Sequence, residues 1–192
     1  FFMQFKALLM DEAAVCRAVT RISHEILEHN KGAQDVMLLG ILRRGLPLAE
    51  MIRDNIQRIE GVSLPCGALD IRYYRDDLTL EQDEPRVRTS ALPFSVQDKT
   101  VVLVDDVIYT GRTVRAAIDA VFSAGRPKRI QLAILIDRGH RELPIRADYV
   151  GKSIPTAKAE VVSVCVPMYD GKLAVELLQM DELGAQAGNG LQ

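Results

Sequence analysis

A chain of 192 residues and 21.3 kDa holds one α/β core, with or without a small hood, and is too short for two independent cores. Its 48% hydrophobic and 26% charged content sets aside wholesale disorder and coiled coil. A formal charge of -2 and a pI near 6.0 give no general pull on polyanions, so nucleic-acid binding requires basic residues gathered on one face.

From Asp11 to His29 the apolar positions Ala14, Val15, Ala18, Val19, Ile22, Ile26 and Leu27 recur at three- and four-residue spacing, which predicts an amphipathic helix stopped by Asn30-Lys31-Gly32. Val36 to Ile41 is a continuous apolar run, as expected of a strand buried on both faces. Helical spacing returns from Leu46 to Ile59, and Val62 to Ile71 supplies another strand. Arg72 to Ser95 is charged and aperiodic and reads as a mobile loop or hairpin. Val101 to Val104 is the clearest buried strand, Thr113 to Ala124 is helical, and Ile130 to Ile136 is a further apolar run. The last strand is expected near Val161 to Val166. Alternating strands and helices predict a mostly parallel sheet flanked by helices. Residues 1–183 are expected to form a single domain and 184–192, rich in Gly and Gln, a frayed tail.

Cys16, Cys66 and Cys165 are widely spaced and form no CxxC pair, so they read as buried free thiols in a reducing compartment. The longest apolar runs, such as Leu132 to Ile136, fall far short of the ~20 residues that span a bilayer. A cytoplasmic protein with no membrane partner is expected.

The chemistry concentrates in Val101 to Thr113, VVLVDDVIYTGRT. In an open parallel sheet, ligands bind beyond the carboxyl ends of the strands, where Asp105-Asp106 and Thr110-Gly111-Arg112-Thr113 fall. Backbone N–H groups at a helix start, a glycine and two hydroxyls suit a phosphate monoester. Two adjacent carboxylates would repel that phosphate but accept hydrogen bonds from the cis hydroxyls of a ribose. Together they describe ribose 5-phosphate. A polar strand exit followed by an ordinary helix start is the plainer alternative. A Walker A loop and a GxGxxG fingerprint are both absent.

These thirteen residues resemble the 5-phosphoribosyl-1-diphosphate (PRPP) signature of type I phosphoribosyltransferases. That resemblance implies their fold: a central, mostly parallel sheet with a small hood and a flexible loop. It assigns Asp105 and Asp106 to the ribose and Val107, Ile108, Tyr109, Thr110, Gly111, Arg112 and Thr113 to the 5-phosphate. Enzymes acting on 6-oxopurines carry a carboxylate where this chain has Tyr109, so the resemblance points away from hypoxanthine and guanine. Thr20-Arg21-Ile22 with His24, Tyr74-Arg75-Asp76-Asp77-Leu78, and Asp137 to Lys152 resemble the PyrR family of pyrimidine-operon attenuators and uracil phosphoribosyltransferases.

The PyrR resemblance implies transfer of ribose 5-phosphate from PRPP to uracil, giving UMP and diphosphate. It needs no side-chain nucleophile. Mg²⁺ would enter with PRPP rather than on a dedicated protein site. Arg43 and Arg44, in the family's diphosphate loop, and Arg75 and Arg88, in its flexible cover, are the implied diphosphate contacts. A basic strand–helix turn and solvated surface arginines remain the alternatives. Arg43 stands where the family usually has a small hydroxyl residue, and Arg72 and Tyr73 replace its Thr-Leu pair. Arg138 and Val162 fall in the implied uracil-binding region, although a strand-end salt bridge would also explain Arg138.

Thr20, Arg21, His24, Arg146 and Lys152 match positions that bind the leader mRNA of pyrimidine operons, and their donors suit phosphates and 2′-hydroxyls. His29 and Ser153 depart from the family pattern there. UMP or UTP would be the sensed nucleotide, and a homo-oligomer, a dimer or larger, is implied. The competing reading is a purely metabolic phosphoribosyltransferase for orotate or adenine without RNA binding.

Overall fold

The helix expected from residue 11 begins one residue later because Asp11 is its cap: the carboxylate accepts from the Ala14 N–H at 2.8 Å. At the far end Lys31 turns left-handed and Gly32 N–H bonds the Leu27 carbonyl, which closes the last turn. The computed structural model describes residues 3–72, 74, 92 and 94–180. In chain order these form β1 (Met3–Met10), α1 (Glu12–Asn30), β2 (Val36–Ile41), α2 (Gly45–Glu60), β3 (Cys66–Leu69) and β4 (Thr100–Ile108). Then follow α3 (Arg112–Ala124), β5 (Arg129–Asp137), β6 (Tyr149–Ser153), β7 (Glu160–Cys165), the single turn α4 (Pro167–Asp170) and β8 (Ala174–Met180). Tyr73, Arg75, Arg88 and the expected tail lie outside the described residues.

Among the described residues five parallel strands run in the order β3-β2-β4-β5-β6, and β1-β8-β7 make a separate antiparallel sheet. This matches the layout that the resemblance to type I phosphoribosyltransferases implies, with the small sheet in the place of the hood. Alternate side chains of the apolar strands go to opposite faces. Leu38, Val102, Val104, Ala133 and Leu135 pack with Val15, Val19 and Ile22 of α1 and Ile52 and Ile56 of α2. Met37, Leu39, Val101, Leu103, Leu132 and Ile134 pack with Val114, Ala117 and Val121 of α3. Both faces are covered, which is why the strands read as unbroken apolar runs.

Several expectations need correction. The acids lie inside β4, which runs on to Ile108 with Asp105 registered against Ile134, rather than beyond its end. The strand sought over 62–71 is only Cys66–Leu69. β7 is not the last strand, because β8 pairs beside it, and β1 and β6 were not foreseen. Of the three thiols only Cys165 is buried; Cys66 is half-buried and Cys16 exposed.

Candidate active site and basic surface

The start of α2, directly after the loop from β2, lies against β4 at Val104 and Asp105. A Cβ on Gly45 would sit 2.3 Å from the Val104 carbonyl oxygen and 3.3 Å from the Asp105 Cα. The absent side chain therefore sets the contact between the loop and the acidic pair. The Leu42–Arg43 peptide in this loop is cis. A cleft of about 690 Å³ opens above the join, lined by Arg43 and Arg44 from the loop, Asp70 and Arg72 after β3, Asp105 and Asp106 from β4, Thr113 from α3 and Tyr169 from α4.

The chain already engages several of these groups. Arg44 donates through Nε to the Val164 carbonyl at 2.6 Å and through Nη2 to Asp170 at 2.9 Å. It therefore straps the loop to the hood as well as facing the cleft. Arg72 forks onto Asp70, which holds the Asp70 carboxyl below the usual range. Arg43 is exposed.

Asp105 is buried, and its Oδ1 accepts the Asp106 N–H at 2.9 Å; Asp106 in turn accepts the Val107 N–H at 2.9 Å. Burial pushes the Asp105 carboxyl well above the usual carboxylate range, and the adjacent Asp106 adds to the shift. Asp106 is also raised, chiefly by burial, against the pull of its hydrogen bonds and the Arg44 charge. Two crowded, desolvated carboxyls favour ligands that bring hydroxyl donors or a cation.

A second hollow of about 390 Å³ lies beside the cleft and shares Val107 and Thr113 with it; it is lined by Val107 through Val114 and by Glu142. Gly111 caps α3 at φ +95, a left-handed conformation that glycine adopts without strain. The following turn braces this loop. The Thr110 carbonyl accepts from Glu142 and Leu143 N–H, and Arg141 donates to the Tyr109 carbonyl at 2.9 Å while pairing with Asp137 at 2.6 Å. Glu142 pairs with Arg112 at 2.8 Å. Asp70, Asp137, Arg141, Glu142 and Tyr169 were not singled out in the sequence. Only Asp137, Arg141 and Glu142 carried a signal, as members of the long Asp137-to-Lys152 run.

The two residues placed near uracil have other surroundings. The Val162 side chain is buried in the core between sheet and hood, which leaves only its backbone for a ligand. Arg138 is buried and lines neither hollow. Its guanidinium donates to Thr156 Oγ1, to the Ala157 carbonyl and to the Glu160 carbonyl.

Thr20, Arg21 and His24 share a shallow exposed patch on α1 with Cys16 and Arg17. Arg21 pairs with Glu25 and donates to the Val150 and Gly151 carbonyls at 3.0 and 2.6 Å, which ties α1 to β6. Lys152 is exposed on β6, the outer strand of the five-stranded sheet. Arg146 is exposed in the loop before β6 and lines a different hollow, with Asp137 and Arg141.

A family model described as phosphoribosyl transferase domain matches residues 9–169. The bifunctional protein PyrR of Acetivibrio thermocellus is 56% identical over 177 residues, covering 92% of this chain and 96% of that protein. The proteins of the same name from Clostridioides difficile and Pelotomaculum thermopropionicum are each 58% identical, over 90% and 92% of this chain and 97% and 98% of theirs. Among solved structures, the Trypanosoma cruzi hypoxanthine phosphoribosyltransferase in complex with IMP matches with a TM-score of 0.70 over 100% of both chains at 17% identity. The Staphylococcus aureus hypoxanthine phosphoribosyltransferase gives 0.68 over 94% of this chain and 96% of its own at 18% identity. These structural likenesses speak for the fold. No helix among the described residues is long and apolar enough to cross a membrane.

Proposed function

Because the chain belongs to the PyrR family of phosphoribosyltransferases, we propose that it transfers ribose 5-phosphate from PRPP to uracil and, with UMP or UTP bound, attenuates a pyrimidine operon by binding its leader mRNA. One observation carries the enzymatic part. Distant segments bring Arg43, Arg44, Asp105 and Asp106 to one cleft that adjoins, at Val107 and Thr113, the hollow of the 107–114 loop.

In this reading the loop amides and the Thr110 and Thr113 hydroxyls hold the 5-phosphate, and Asp105 and Asp106 accept from the ribose hydroxyls. Arg43 and Arg44 neutralise the diphosphate as it leaves, joined by Arg75 and Arg88 from the cover. Uracil N1 attacks ribose C1, the C1–O bond to diphosphate breaks, and the N1 proton is released. Charge develops on the leaving group, so guanidinium groups beside it favour the transition state over bound donor. Among the described residues no group of three His, Cys, Asp or Glu side chains could hold a metal. Mg²⁺ would arrive with PRPP, where Asp105 and Asp106 would help to hold it, and it would screen the diphosphate charge.

The exposed side chains of Thr20, Arg21 and His24 on α1 and Lys152 on β6 support the RNA-binding part, with Arg146 contributing from its own loop. The protein would act in the cytoplasm as a homo-oligomer. Two measurements test the reading. Uracil, orotate, adenine and guanine are offered in turn with PRPP, and uracil is expected to be the preferred acceptor; preference for orotate or adenine would sink it. Affinity for the organism's own pyrimidine leader transcript is measured with and without UMP, and is expected to rise with UMP.

A further inference from the structure

Tyr109, in the middle of the 5-phosphate loop, is gripped from three sides by residues that follow β5. The Arg138 guanidinium carbon lies 4.3 Å from the centre of its ring. His140 meets the ring edge-on, with centroids 5.5 Å apart and planes at 66°. Arg141 holds its backbone carbonyl.

The edge of the Arg138 guanidinium engages residues 156–160. Nε donates to Thr156 Oγ1 at 3.0 Å, and Nη2 donates to the Ala157 and Glu160 carbonyls at 3.2 and 2.6 Å. His140 Nε2 reaches the Thr156 carbonyl at 2.6 Å. Residues 156–160 lead into β7, so one buried cation joins the phosphate loop to the entry of the hood. A planar cation can satisfy three oxygens at its edge while stacking a ring on its face; an ammonium cannot do both.

We propose that Arg138 is a positioning residue for the ribose-phosphate donor: it clamps the Tyr109 ring, and with it the 5-phosphate loop, to the segment entering the hood. This rests on the phosphoribosyl-transfer reading and replaces a direct contact of Arg138 with the base. The Nε and Nη2 donors are already taken by the chain, and neither hollow is lined by Arg138.

The test uses the full chain, ribose 5-phosphate as the calorimetric probe, and separate KM values for PRPP and uracil. Arg138→Met and Tyr109→Leu should each weaken ribose 5-phosphate and raise the PRPP KM by about tenfold, within the range of a desolvated cation–π contact, while the uracil KM moves less than twofold. The double variant should be no worse than either single one. Tyr109→Phe, which keeps the ring, should recover most of what Tyr109→Leu loses, whereas Arg138→Lys should rescue little.

A rise in the uracil KM with ribose 5-phosphate binding unchanged would make Arg138 a base contact and overturn the clamp. So would a lowered Tm with both donor measurements unchanged. If Arg138→Met fails to fold, the Leu and Phe variants of Tyr109 decide the matter. Wild-type protein that binds ribose 5-phosphate but transfers nothing to uracil refutes the acceptor assignment and leaves the clamp standing.

Discussion

Arg44 and Asp170 form an ion pair at 2.9 Å between the loop after β2 and the turn α4 in the hood. Asp170 also accepts the Val166 N–H at 2.8 Å, so one carboxylate orders α4 and holds the arginine. Arg44→Lys keeps the charge but not the fork that reaches both Asp170 and the Val164 carbonyl. A loss of about 1–2 kcal/mol is expected, seen as a Tm lower by roughly 2–8 °C, together with a PRPP KM raised several-fold. An unchanged KM would make Arg44 a strut alone.

Asp105→Asn should abolish UMP synthesis yet stabilise the protein at neutral pH, with a Tm higher by a few degrees. A carboxyl raised by folding contributes stability below its unfolded pKa and loses it as pH rises through its folded pKa. The Tm gap between variant and wild type should therefore be small below about pH 4 and widen as pH rises. Thermal melts across pH check the sign; a variant that is less stable at neutral pH contradicts it.

The legibility of these features divides by the range of the interaction that creates them. Strands buried on both faces, such as β4, advertise themselves by composition, and Asp105 to Thr113 lie together in sequence as they do in the site. β1 escaped notice because its register comes from β8, with Met3 opposite Met180, at the other end of the described chain. β6 is short and carries Gly151, Lys152 and Ser153, so only its pairing to β5 makes it a strand. Resemblance brought Arg138 to attention, but sequence could not show that its donors face Thr156, Ala157 and Glu160.

Glu142 places a carboxylate at the rim of a pocket read as a phosphate site, where it occupies Arg112. Removing that charge with Glu142→Gln should lower the PRPP KM by about two- to fivefold, matching the ~0.2–1 kcal/mol of an exposed pair. The gain should shrink in high salt. Steady-state kinetics at two ionic strengths measure both effects, and a raised KM would show that Glu142 braces the loop instead.

The three thiols should separate by reactivity. Burial pushes the Cys66 thiol up to about 11 and raises Cys165 as well, while Cys16 is exposed on α1. Thiolate is the reactive form, so titration with a disulfide reagent near pH 8 should give one fast thiol per chain in the native protein and three after denaturation. Two or more fast thiols before denaturation would contradict the raised thiols of half-buried Cys66 and buried Cys165.

Lys152→Ala and His24→Ala should weaken leader-RNA binding while sparing UMP synthesis. For Lys152 the slope of log affinity against log salt should flatten by about 0.7 for each RNA phosphate that its ammonium no longer neutralises. Arg21→Ala should also lower the Tm, because Arg21 carries the Val150 and Gly151 carbonyls. Binding isotherms over a salt series separate these effects; an unaltered slope in Lys152→Ala removes that residue from the RNA surface.

Gly45 gives the cleft a property that no side chain in it supplies. With the Val104 carbonyl 2.3 Å from where its Cβ would stand, the spacing between the arginine loop and the paired acids is a ruler made of backbone. Mutational drift can recolour the loop at Arg43, trading charge for hydroxyl, without altering the length of that ruler. A single added carbon at residue 45 would have to move the strand itself, so the gap between two opposite charges is gauged by an atom the chain lacks.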